Sequence, residues 1–333
     1  MHAVVLVGGF GTRLRPLTYA IPKPLLPVAH VPMIRRLINR LAEGGVTDVV
    51  LALGFKPEPF FAEFPNNMCG DVRMTYAVES TPLDTAGAIG FAARAAGITG
   101  TFIVANGDVM TDLNVVDLVA FHRRSGAKAT ISLTPVNDPS QFGIVETNAD
   151  GRVLRFVEKP QPGETNSRFA SAGTYVMEES TLALMPGTEK LSIERVTFPQ
   201  LVAEGALFAM ATDDYWIDAG RPDTYVQANN DIATQLRNPA DAAVHASAVI
   251  AGSAVVRDAV ISANVNVGEN AQVSNSVLLN GAVIGSGAAV ERSIVMGNVR
   301  SDARIVDCIV GPTGVVQSGQ ISTGGRFPEG EIS

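Results

Sequence analysis

The last third of the chain repeats with an interval of six residues. Branched apolar residues recur at this interval at Val249, Val255, Ile261, Val267 and Val273. Small residues (Ala, Ser, Gly and Asn) fill most of the positions between them. One apolar residue per six is typical of a β-helix, in which each short face contributes one side chain to a narrow interior. Three faces per coil would need about eighteen residues.

The repeat continues toward the C-terminus with one slip. The apolar interval is lost after Val283 and returns at Val299. Three similar triplets, Ser276–Leu278, Ser293–Val295 and Cys308–Val310, follow one another at intervals close to one coil. Because the strands of a β-sandwich would alternate polar and apolar residues more strictly, we expect stacked coils instead.

The preceding part of the chain alternates short apolar runs with helical patterns. The runs AVVLV, DVVLAL, RMTYAV and TFIVAN predict buried strands, and MIRRLINRLAEGG and TAGAIGFAARAAG predict helices between them. This alternation indicates right-handed crossovers and a Rossmann-like, mostly parallel α/β sheet. The closely spaced runs FGIVET and RVLRFVEK add a hairpin. The composition changes near Asn238–Pro239, so we expect one domain over 1–238 and a β-helix over 239–333.

Composition and charge exclude several classes of protein. The net charge of −8 argues against a nucleic-acid or anionic-membrane surface. The absence of a long apolar run and of a leader pattern favours a cytoplasmic protein. Cys69 and Cys308 match neither a disulfide framework nor metal-ligand spacing, so we expect buried free thiols.

The first 42 residues are basic, with six Lys or Arg and no acid. Three of these cations, Arg35, Arg36 and Arg40, have helical spacing and are best explained as the solvated face of a helix. The others suggest a local anion site.

The first strand leads into a glycine-rich loop, GGFGTRLRP, over 8–16. Its glycines let backbone N–H groups approach an anion. The loop is neither a Walker motif nor a good dinucleotide fingerprint, because Arg13 and Pro16 stand where a helix would begin. A second segment, PKPLLPV, holds Lys23 between prolines that restrict its backbone. Two cations beside a glycine-rich loop suit a polyphosphate.

The paired motifs GGFGTRLRPLT and PKPLLPV closely resemble those of the sugar nucleotidyltransferases (NDP-sugar pyrophosphorylases), especially the mannose-1-phosphate guanylyltransferase branch. The resemblance covers nearly the whole chain and implies a left-handed β-helix after the catalytic domain. It also implies a reaction in which a sugar 1-phosphate attacks the α-phosphorus of a nucleoside triphosphate and releases pyrophosphate.

The resemblance assigns four catalytic residues. It implies that Arg13 holds the β- and γ-phosphates and Lys23 the α-phosphate, while Asp108 and Asp218 bind Mg²⁺, whose hard character suits carboxylate and phosphate oxygens. The other expected nucleotide-binding positions in and before the loop are Leu6, Gly8, Gly9, Gly11 and Thr12.

On the sugar side, the resemblance gives three further residues a role. Lys159 would pair with the sugar phosphate, Glu158 would accept hydrogen bonds from sugar hydroxyls, and the backbone of Gly143 would face the hexose. Ser171 would also line this site, but it stands where the family usually has Asn. Serine lacks the amide donor, so the choice of sugar stays open.

Two residues bear on the base. Glu79 matches a position that contacts the base, and a carboxylate can accept both N1–H and the N2 amino group of guanine. Asp84 replaces the glycine of the family's Leu-Gly-Thr-Ala-Gly and either reshapes that wall or reads the base differently. We therefore expect GTP with mannose 1-phosphate, giving GDP-mannose; UTP or dTTP with glucose 1-phosphate is the alternative.

Two other classes of function compete. A catalytically silent, nucleotide-sugar-sensing or scaffold subunit should have lost some of the five residues Arg13, Lys23, Asp108, Lys159 and Asp218, and all are present. An acyltransferase acting through the β-helix would need a catalytic histidine within its coils, and only His245 lies near the first coil. We expect small-molecule substrates, and a β-helix that either joins subunits of a homo-oligomer or covers the catalytic domain.

Overall fold

The computed structural model of the chain describes residues 1–54, 57–234, 236 and 241–330. Contacts divide the chain into two compact units. The first comprises Met1–Gly9 and Ile34–Trp216, and the second comprises Phe10–Met33 and Ile217–Ser333. The domain boundary expected at Asn238–Pro239 lies outside the described residues. No helix of the described chain is long and apolar enough to cross a membrane.

The first unit is built on a ten-stranded sheet. Its strands, in chain order, are His2–Leu6, Asp48–Leu53, Met68–Cys69, Val72–Val78, Phe102–Asn106, Ala129–Pro135, Gly143–Thr147, Val153–Glu158, Phe169–Met177 and Leu207–Ala211. The α-helices are Met33–Glu43, Glu58–Glu63, Asp84–Ala95, Val115–Ser125 and Phe198–Ala203, and Ile193–Thr197 is a π-turn. Short 3₁₀ turns cover Pro65–Asn67, Pro139–Gln141 and Glu179–Leu184, and two further short strands are Val109–Thr111 and Trp216–Asp218.

The centre of this sheet is parallel. His2–Leu6 lies between Asp48–Leu53 and Phe102–Asn106, and Asp48–Leu53 also pairs in parallel with Val72–Val78. These four strands match the four predicted apolar runs, and the three inner ones are buried along most of their length, as continuous apolar sequence indicates. The expected hairpin joins Gly143–Thr147 to Val153–Glu158 at the far edge of the sheet. The Rossmann-like α/β fold is therefore confirmed.

The predicted helices pack on this sheet as their sequences indicate. Helix Asp84–Ala95 buries a row of small and branched residues that includes Ala86, Ile89 and Ala93. A Cβ at Gly90 would lie 2.1 Å from the carbonyl oxygen of Met185, so the helix lies in close contact with the neighbouring backbone.

Two arginines of helix Met33–Glu43 form ion pairs at its surface. Arg35 pairs with Glu63 at 2.6 Å, and Arg40 pairs with Glu43 at 2.7 Å. These contacts agree with the solvated helix face expected for this stretch.

The second unit contains three five-stranded parallel sheets, which are the faces of a β-helix. The first face consists of Val249–Ile250, Asn266–Val267, Val283–Ile284, Asn298–Val299 and Val315–Val316. The second consists of Val255–Arg257, Gln272–Ser274, Ala289–Glu291, Arg304–Val306 and Ile321–Thr323. The third consists of Val260–Ile261, Val277–Leu278, Ile294–Val295, Ile309–Val310 and Arg326–Phe327.

The coils are shorter than the expected eighteen residues. Val249 pairs with Asn266, Asn266 with Val283, Val283 with Asn298 and Asn298 with Val315, which gives coils of 17, 17, 15 and 17 residues. The 15-residue coil accounts for the slip after Val283. One corner of each coil separates its inward residues by five positions instead of six, as from Val273 to Leu278.

This difference corrects the assignment of two interior residues. Val249 and Val255 are 60% and 44% exposed and point outward. Three steps of six residues make 18, one more than a 17-residue coil, so positions six apart shift by one residue relative to the strands in each coil. The series therefore starts on outward positions, Val249 and Val255, and reaches the interior at Ile261. In the first coil Ile250 and Val256 pack toward the interior instead.

The three triplets stack as predicted, and their first residues form a buried polar ladder. The N–H of Ser293 donates to Ser276 Oγ at 3.1 Å, and the N–H of Cys308 donates to Ser293 Oγ at 3.0 Å. Cys308 and Cys69 are both buried and free, as expected.

The remainder of the second unit consists of short elements. They are the 3₁₀ turns Thr12–Leu14 and Lys23–Leu25, the helices Leu17–Ala20 and Pro222–Ala233, and the paired strands Pro27–Val28 and Val31–Pro32. Helix Pro222–Ala233 packs on strand Val260–Ile261 of the third face.

Candidate active site

Lys23 and Asp218 meet in the second unit although they lie 195 positions apart. Lys23 Nζ donates to Asp218 Oδ1 at 3.2 Å, and the lysine side chain is only 10% exposed. The backbone N–H of Gly220 donates to the same oxygen at 2.9 Å. The structure thus brings together two of the four expected catalytic residues.

Gly220 is a functional position that the sequence reasoning missed. A Cβ there would lie 2.6 Å from Lys23 Nζ and 2.8 Å from Asp218 Oδ1. A side chain there would therefore require Lys23 or Asp218 to move from its present position. The signal was the glycine two residues after the aspartate in WIDAG.

The segment around Lys23 is fixed by helix Pro222–Ala233 as well as by its prolines. The buried Tyr225 hydroxyl donates to the carbonyl oxygen of Pro27. The N–H of Ala29 donates to the buried Asn229 Oδ1 at 3.0 Å. Burial raises the pKa of Tyr225, which keeps its hydroxyl a donor. The proline pattern predicted a rigid segment but not this helix contact.

The glycine-rich loop presents Arg13 on a tight turn. Gly11 adopts the left-handed conformation with φ of 56°, and a Cβ there would lie 2.9 Å from Thr18 Cγ2 and 3.1 Å from Lys23 Cβ. In the following turn Leu14 is buried, whereas Thr12 and Arg13 are exposed. Leu14 therefore anchors a turn that presents Arg13 to solvent near the segment of Lys23.

In the first unit, Asp108 lies at the carboxyl edge of the parallel strands, where α/β sheets bind ligands. Strands His2–Leu6 and Phe102–Asn106 are neighbours and end together. The N–H of Gly107 donates to the carbonyl oxygen of Leu6 at 2.8 Å. Asp108 is thus held beside the end of the first strand, which continues into Gly8.

Gly8 and Gly9 leave open space at this edge. A Cβ at either position would meet no atom of the described residues within 4 Å. Both residues are exposed, and a ligand can therefore approach their backbone.

The residues expected near the base follow strand Val72–Val78. Glu79 Oε2 accepts a hydrogen bond from the N–H of Leu83 at 2.9 Å. Burial raises the pKa of Glu79, an effect that this hydrogen bond partly offsets. The segment from Glu79 to Leu83 is thereby closed into a turn.

Asp84 takes the backbone conformation that favours glycine. Its φ is 59°, and its Oδ1 accepts a hydrogen bond from the N–H of Thr85 at 2.8 Å. Aspartate tolerates this region better than most residues because its short side chain bonds locally. The departure from the family's glycine therefore preserves the local backbone and adds an exposed carboxylate.

Three of the sugar-side residues lie together on the edge hairpin. Gly143 pairs with Glu158, and a Cβ at Gly143 would lie 2.9 Å from Glu158 Oε2. Lys159 Nζ lies 3.4 Å from Glu158 Oε1, and its side chain is 62% exposed. Lys159 has φ of 50°, a conformation that costs energy for a long side chain and is frequent at functional sites.

Ser171 lies where strand Phe169–Met177 departs from regular pairing. The register with Ala129–Pro135 shifts between Ser171 and Tyr175. The Ser171 hydroxyl lies 3.5 Å from the Tyr175 hydroxyl. Burial raises the pKa of Tyr175, so its hydroxyl stays protonated.

The expected site residues thus divide between the two units. Leu6, Gly8, Gly9, Glu79, Asp84, Asp108, Gly143, Glu158, Lys159 and Ser171 belong to the first, and Gly11, Thr12, Arg13, Lys23 and Asp218 to the second. Within the described residues no group of three or more His, Cys, Asp or Glu side chains is arranged to hold a metal ion.

Family models match both parts of the chain. The nucleotidyl transferase model matches residues 2–235, and the model for a GlmU-like, C-terminal hexapeptide matches residues 225–307. The second match agrees with the three parallel sheets and confirms the left-handed β-helix.

Similar curated proteins carry one activity in their names. The chain is 39% identical over 236 residues to mannose-1-phosphate guanylyltransferase of Mycobacterium tuberculosis, covering 70% of this chain and 64% of that protein. It is 40% identical over 232 residues to the mannose-1-phosphate guanyltransferase of Hypocrea jecorina, covering 68% and 62%. It is 36% identical over 263 residues to mannose-1-phosphate guanylyltransferase 1 of Arabidopsis thaliana, covering 77% and 71%. The matched part thus spans about two thirds of these relatives.

A solved structure shares the fold. It is a Bacillus anthracis protein assigned as a glucose-1-phosphate thymidylyltransferase, in complex with sucrose, with a TM-score of 0.62 and 25% identity. The match covers 69% of this chain and 94% of that one. With its glycine-rich loop, its Lys23–Asp218 pair and a family match over most of its length, this chain belongs to the nucleotidyl transferase family.

Proposed function

We propose that the chain transfers a nucleotidyl group from a nucleoside triphosphate to a hexose 1-phosphate, giving an NDP-sugar and pyrophosphate. The observation that carries this proposal is the buried contact between Lys23 and Asp218, 3.2 Å apart. This contact joins a cation suited to phosphate with a carboxylate suited to a divalent metal. Both residues belong to the second unit, which also contains Arg13. Phosphoryl chemistry of this kind depends on alignment and charge stabilisation rather than on a covalent nucleophile.

The two cations would divide the triphosphate between them. Lys23 is buried and held by its neighbours, so its ammonium group suits the α-phosphate, where the attack takes place. Arg13 is exposed on its turn, and a guanidinium binds phosphate oxygens in pairs. We assign Arg13 to the β- and γ-phosphates, where it would stabilise the departing pyrophosphate. The backbone around Gly11 and Thr12 would face the same phosphates.

Mg²⁺ fits the donors that are present. Asp218 uses Oδ1 for Lys23 and Gly220, and no described residue bonds its Oδ2. Mg²⁺ in proteins is often held by one or two carboxylates together with substrate phosphates and water. Asp108 and Asp218 would hold the ion, which would neutralise charge on the phosphates.

The proposed substrates are GTP and mannose 1-phosphate, giving GDP-mannose, because the relatives described above carry that activity in their names. Glu79 supports guanine, since one carboxylate oxygen is tied to Leu83 and the other remains to accept from the base. Glu158 and Lys159 lie side by side, as a sugar hydroxyl and its phosphate would require. UTP or dTTP with glucose 1-phosphate is the second candidate, favoured by the Bacillus anthracis structure.

One experiment decides among these possibilities. Pyrophosphate release is measured with Mg²⁺ over a matrix of GTP, UTP, dTTP, ATP and CTP against mannose, glucose and N-acetylglucosamine 1-phosphates. We expect the highest kcat/KM for GTP with mannose 1-phosphate. A higher value for dTTP or UTP with glucose 1-phosphate would favour the second candidate. Absence of turnover with every pair would favour a silent regulatory subunit.

The proposal extends to assembly and location. The outward residues of the first face alternate between valine and asparagine, with Val249 and Val283 60% and 42% exposed. Exposed valines separated by asparagines offer both apolar contact and hydrogen bonds, which suits contact with the same face of a second copy. We propose a homo-oligomer formed through this face. The proposed substrates of the enzyme, nucleoside triphosphates and sugar phosphates, suit a cytoplasmic location, which we also propose.

A further inference from the structure

The last two coils of the β-helix contact the loop that carries Arg13. The Arg326 guanidinium, on the last strand of the third face, donates a hydrogen bond to the carbonyl oxygen of Arg15. One coil earlier, Gly311 lies against Pro16, since a Cβ at Gly311 would be 2.8 Å from Pro16 Cγ. Both contacts fall within three residues of Arg13.

The sequence of the β-helix changes where these contacts occur. On the third face, the four outward residues before Arg326 are branched, apolar and no more than 2% exposed: Val260, Val277, Ile294 and Ile309. Arg326 follows them in register with Ile309 but is exposed. The apolar row thus ends in a cation at the coil that meets the loop.

Gly311 is a parallel case, two positions after Ile309, the residue in register with Arg326. The residues that make the equivalent hydrogen bond in earlier coils are Ser262, Leu279 and Met296, whose N–H groups also donate to the coil above. Only at Gly311 does this row lack a side chain, and this is where the Pro16 ring lies. Two neighbouring rows therefore depart from their pattern to accommodate one loop.

The loop is held in part by its own residues, since Leu14 is buried and the Thr18 hydroxyl donates to the carbonyl oxygen of Gly11 at 2.8 Å. Its internal backbone bonds are those of one 3₁₀ turn, from Leu14 N–H to Gly11 and from Arg15 N–H to Thr12, at 3.0 and 3.3 Å. A hydrogen bond from a charged donor to a carbonyl oxygen is about twice as strong as a neutral one. The bond from Arg326 therefore adds a strong external restraint two residues after Arg13.

We propose that Arg326 and Gly311 are positioning residues that hold the Arg13 turn in place for the triphosphate. The role of Arg13 itself rests on the proposed function. The β-helix would then contribute to nucleotide use by supporting the loop. A ligand group displaced by as little as 1 Å can cost about a hundredfold in rate.

The first test compares Arg326→Ala with Arg300→Ala. Arg300 is a matched control, because it is another exposed β-helix arginine, and its guanidinium bonds Gln317 in the neighbouring coil. We expect Arg326→Ala to lower kcat/KM for the nucleoside triphosphate about tenfold, as expected for a misplaced binding group. Arg300→Ala should leave it unchanged, and Arg326→Lys, which keeps a cationic donor, should recover part of the loss.

A double variant separates positioning from a general structural effect. If Arg326 acts through Arg13, the loss caused by Arg326→Ala should largely disappear in an Arg13→Ala background. An equal proportional loss in both backgrounds would overturn the proposal. So would unchanged kcat/KM in folded Arg326→Ala.

The second test uses the other contact. Gly311→Ala should push the loop through Pro16, whereas Gly252→Ala is a matched control, since a Cβ at Gly252 would meet no atom of the described chain within 4 Å. We expect a loss of kcat/KM for Gly311→Ala alone. Equal behaviour of the two variants would count against the proposal. This pair of variants also keeps the test decisive if Arg326→Ala does not fold.

Hydrogen exchange distinguishes this inference from the proposed function. Arg326→Ala should accelerate exchange of the amides of residues 12–15, and Arg300→Ala should not. Faster exchange in a chain without nucleotidyltransferase turnover would leave the support of the loop standing and refute the proposed function. Unchanged exchange in an active chain would refute the support alone.

Discussion

Lys23 Nζ lies 3.2 Å from Asp218 Oδ1, across 195 positions of sequence. The lysine side chain is 10% exposed and the aspartate side chain 37%. A buried ammonium group is costly unless an opposite charge compensates it. Asp218 therefore stabilises Lys23 and also leaves its second carboxylate oxygen for a metal, so its replacement should affect both stability and catalysis.

The metal assignment predicts a steep loss of turnover. Asp108→Asn and Asp218→Asn should each lower kcat about a hundredfold or more, because each removes a ligand of an ion worth several kcal/mol to the transition state. Both should also raise the Mg²⁺ concentration required for half-maximal rate. Asp150→Asn, at an exposed turn, is the control. Folded variants with wild-type turnover and an unchanged Mg²⁺ titration would contradict the assignment.

Asp218 also contributes to the fold. Asp218→Asn replaces a charged partner of Lys23 by a neutral one, so the melting temperature of this variant should fall. The midpoint of thermal unfolding for each variant, measured beside kcat, separates this loss from the catalytic one.

Sequence patterns reveal contacts that are local and miss those that are not. The central strands were predictable because buried parallel strands carry continuous apolar runs. The coil length was not, because an apolar interval of six along the chain does not show that one corner of each coil, such as the one from Val273 to Leu278, is one residue shorter. Gly220 and Arg326 were missed because their partners, Lys23 and Arg15, lie 197 and 311 positions away, and no spacing along the chain encodes such contacts.

Lys159 should matter for one substrate only. Because its φ is 50°, Lys159→Gly removes the ammonium group and relieves the backbone strain, whereas Lys159→Ala removes the ammonium group and keeps the strain that any Cβ imposes there. We expect Lys159→Gly to raise KM for the sugar 1-phosphate about tenfold, in line with the loss of one charged hydrogen bond of 1.5–3 kcal/mol. KM for the nucleoside triphosphate should stay within about twofold. Arg155→Ala on the same hairpin is the control, and equal effects on both substrates would refute the role.

Two substitutions at Asp84 test whether its left-handed backbone conformation explains why aspartate can replace the family's glycine. Asp84→Gly should keep its stability to within about 1 kcal/mol, because glycine adopts φ of 59° without cost. Asp84→Ala should lose about 1–2 kcal/mol, because alanine lacks the local hydrogen bond and is disfavoured there. Urea unfolding of both variants measures the difference. Equal stability of the two would show that the backbone conformation does not decide this position.

Glu79 predicts a pH dependence for the base. Burial raises the pKa of Glu79, so its carboxylate takes up a proton at a higher pH than an exposed glutamate would. Only the ionised form accepts from both guanine donors. KM for GTP should therefore rise on acidification in the wild type, and this rise should be absent in Glu79→Gln.

The Glu79→Gln variant should also gain activity with UTP or dTTP relative to GTP, because an amide offers a donor and an acceptor together. Parallel pH profiles for both proteins would exclude Glu79 as the base reader.

The first face of the β-helix gives a test of self-association. Val283 is outward and 42% exposed between Asn266 and Asn298, so Val283→Glu changes the surface without touching the interior. Two copies joined through this face would bring the introduced carboxylates close together, and the subunits should separate. Light scattering after size exclusion measures the mass. Ile321→Glu, on the second face and 76% exposed, is the matched control and should leave the mass unchanged. If the mass changes only for Ile321→Glu, the interface lies on the second face instead. A monomeric wild type would refute self-association.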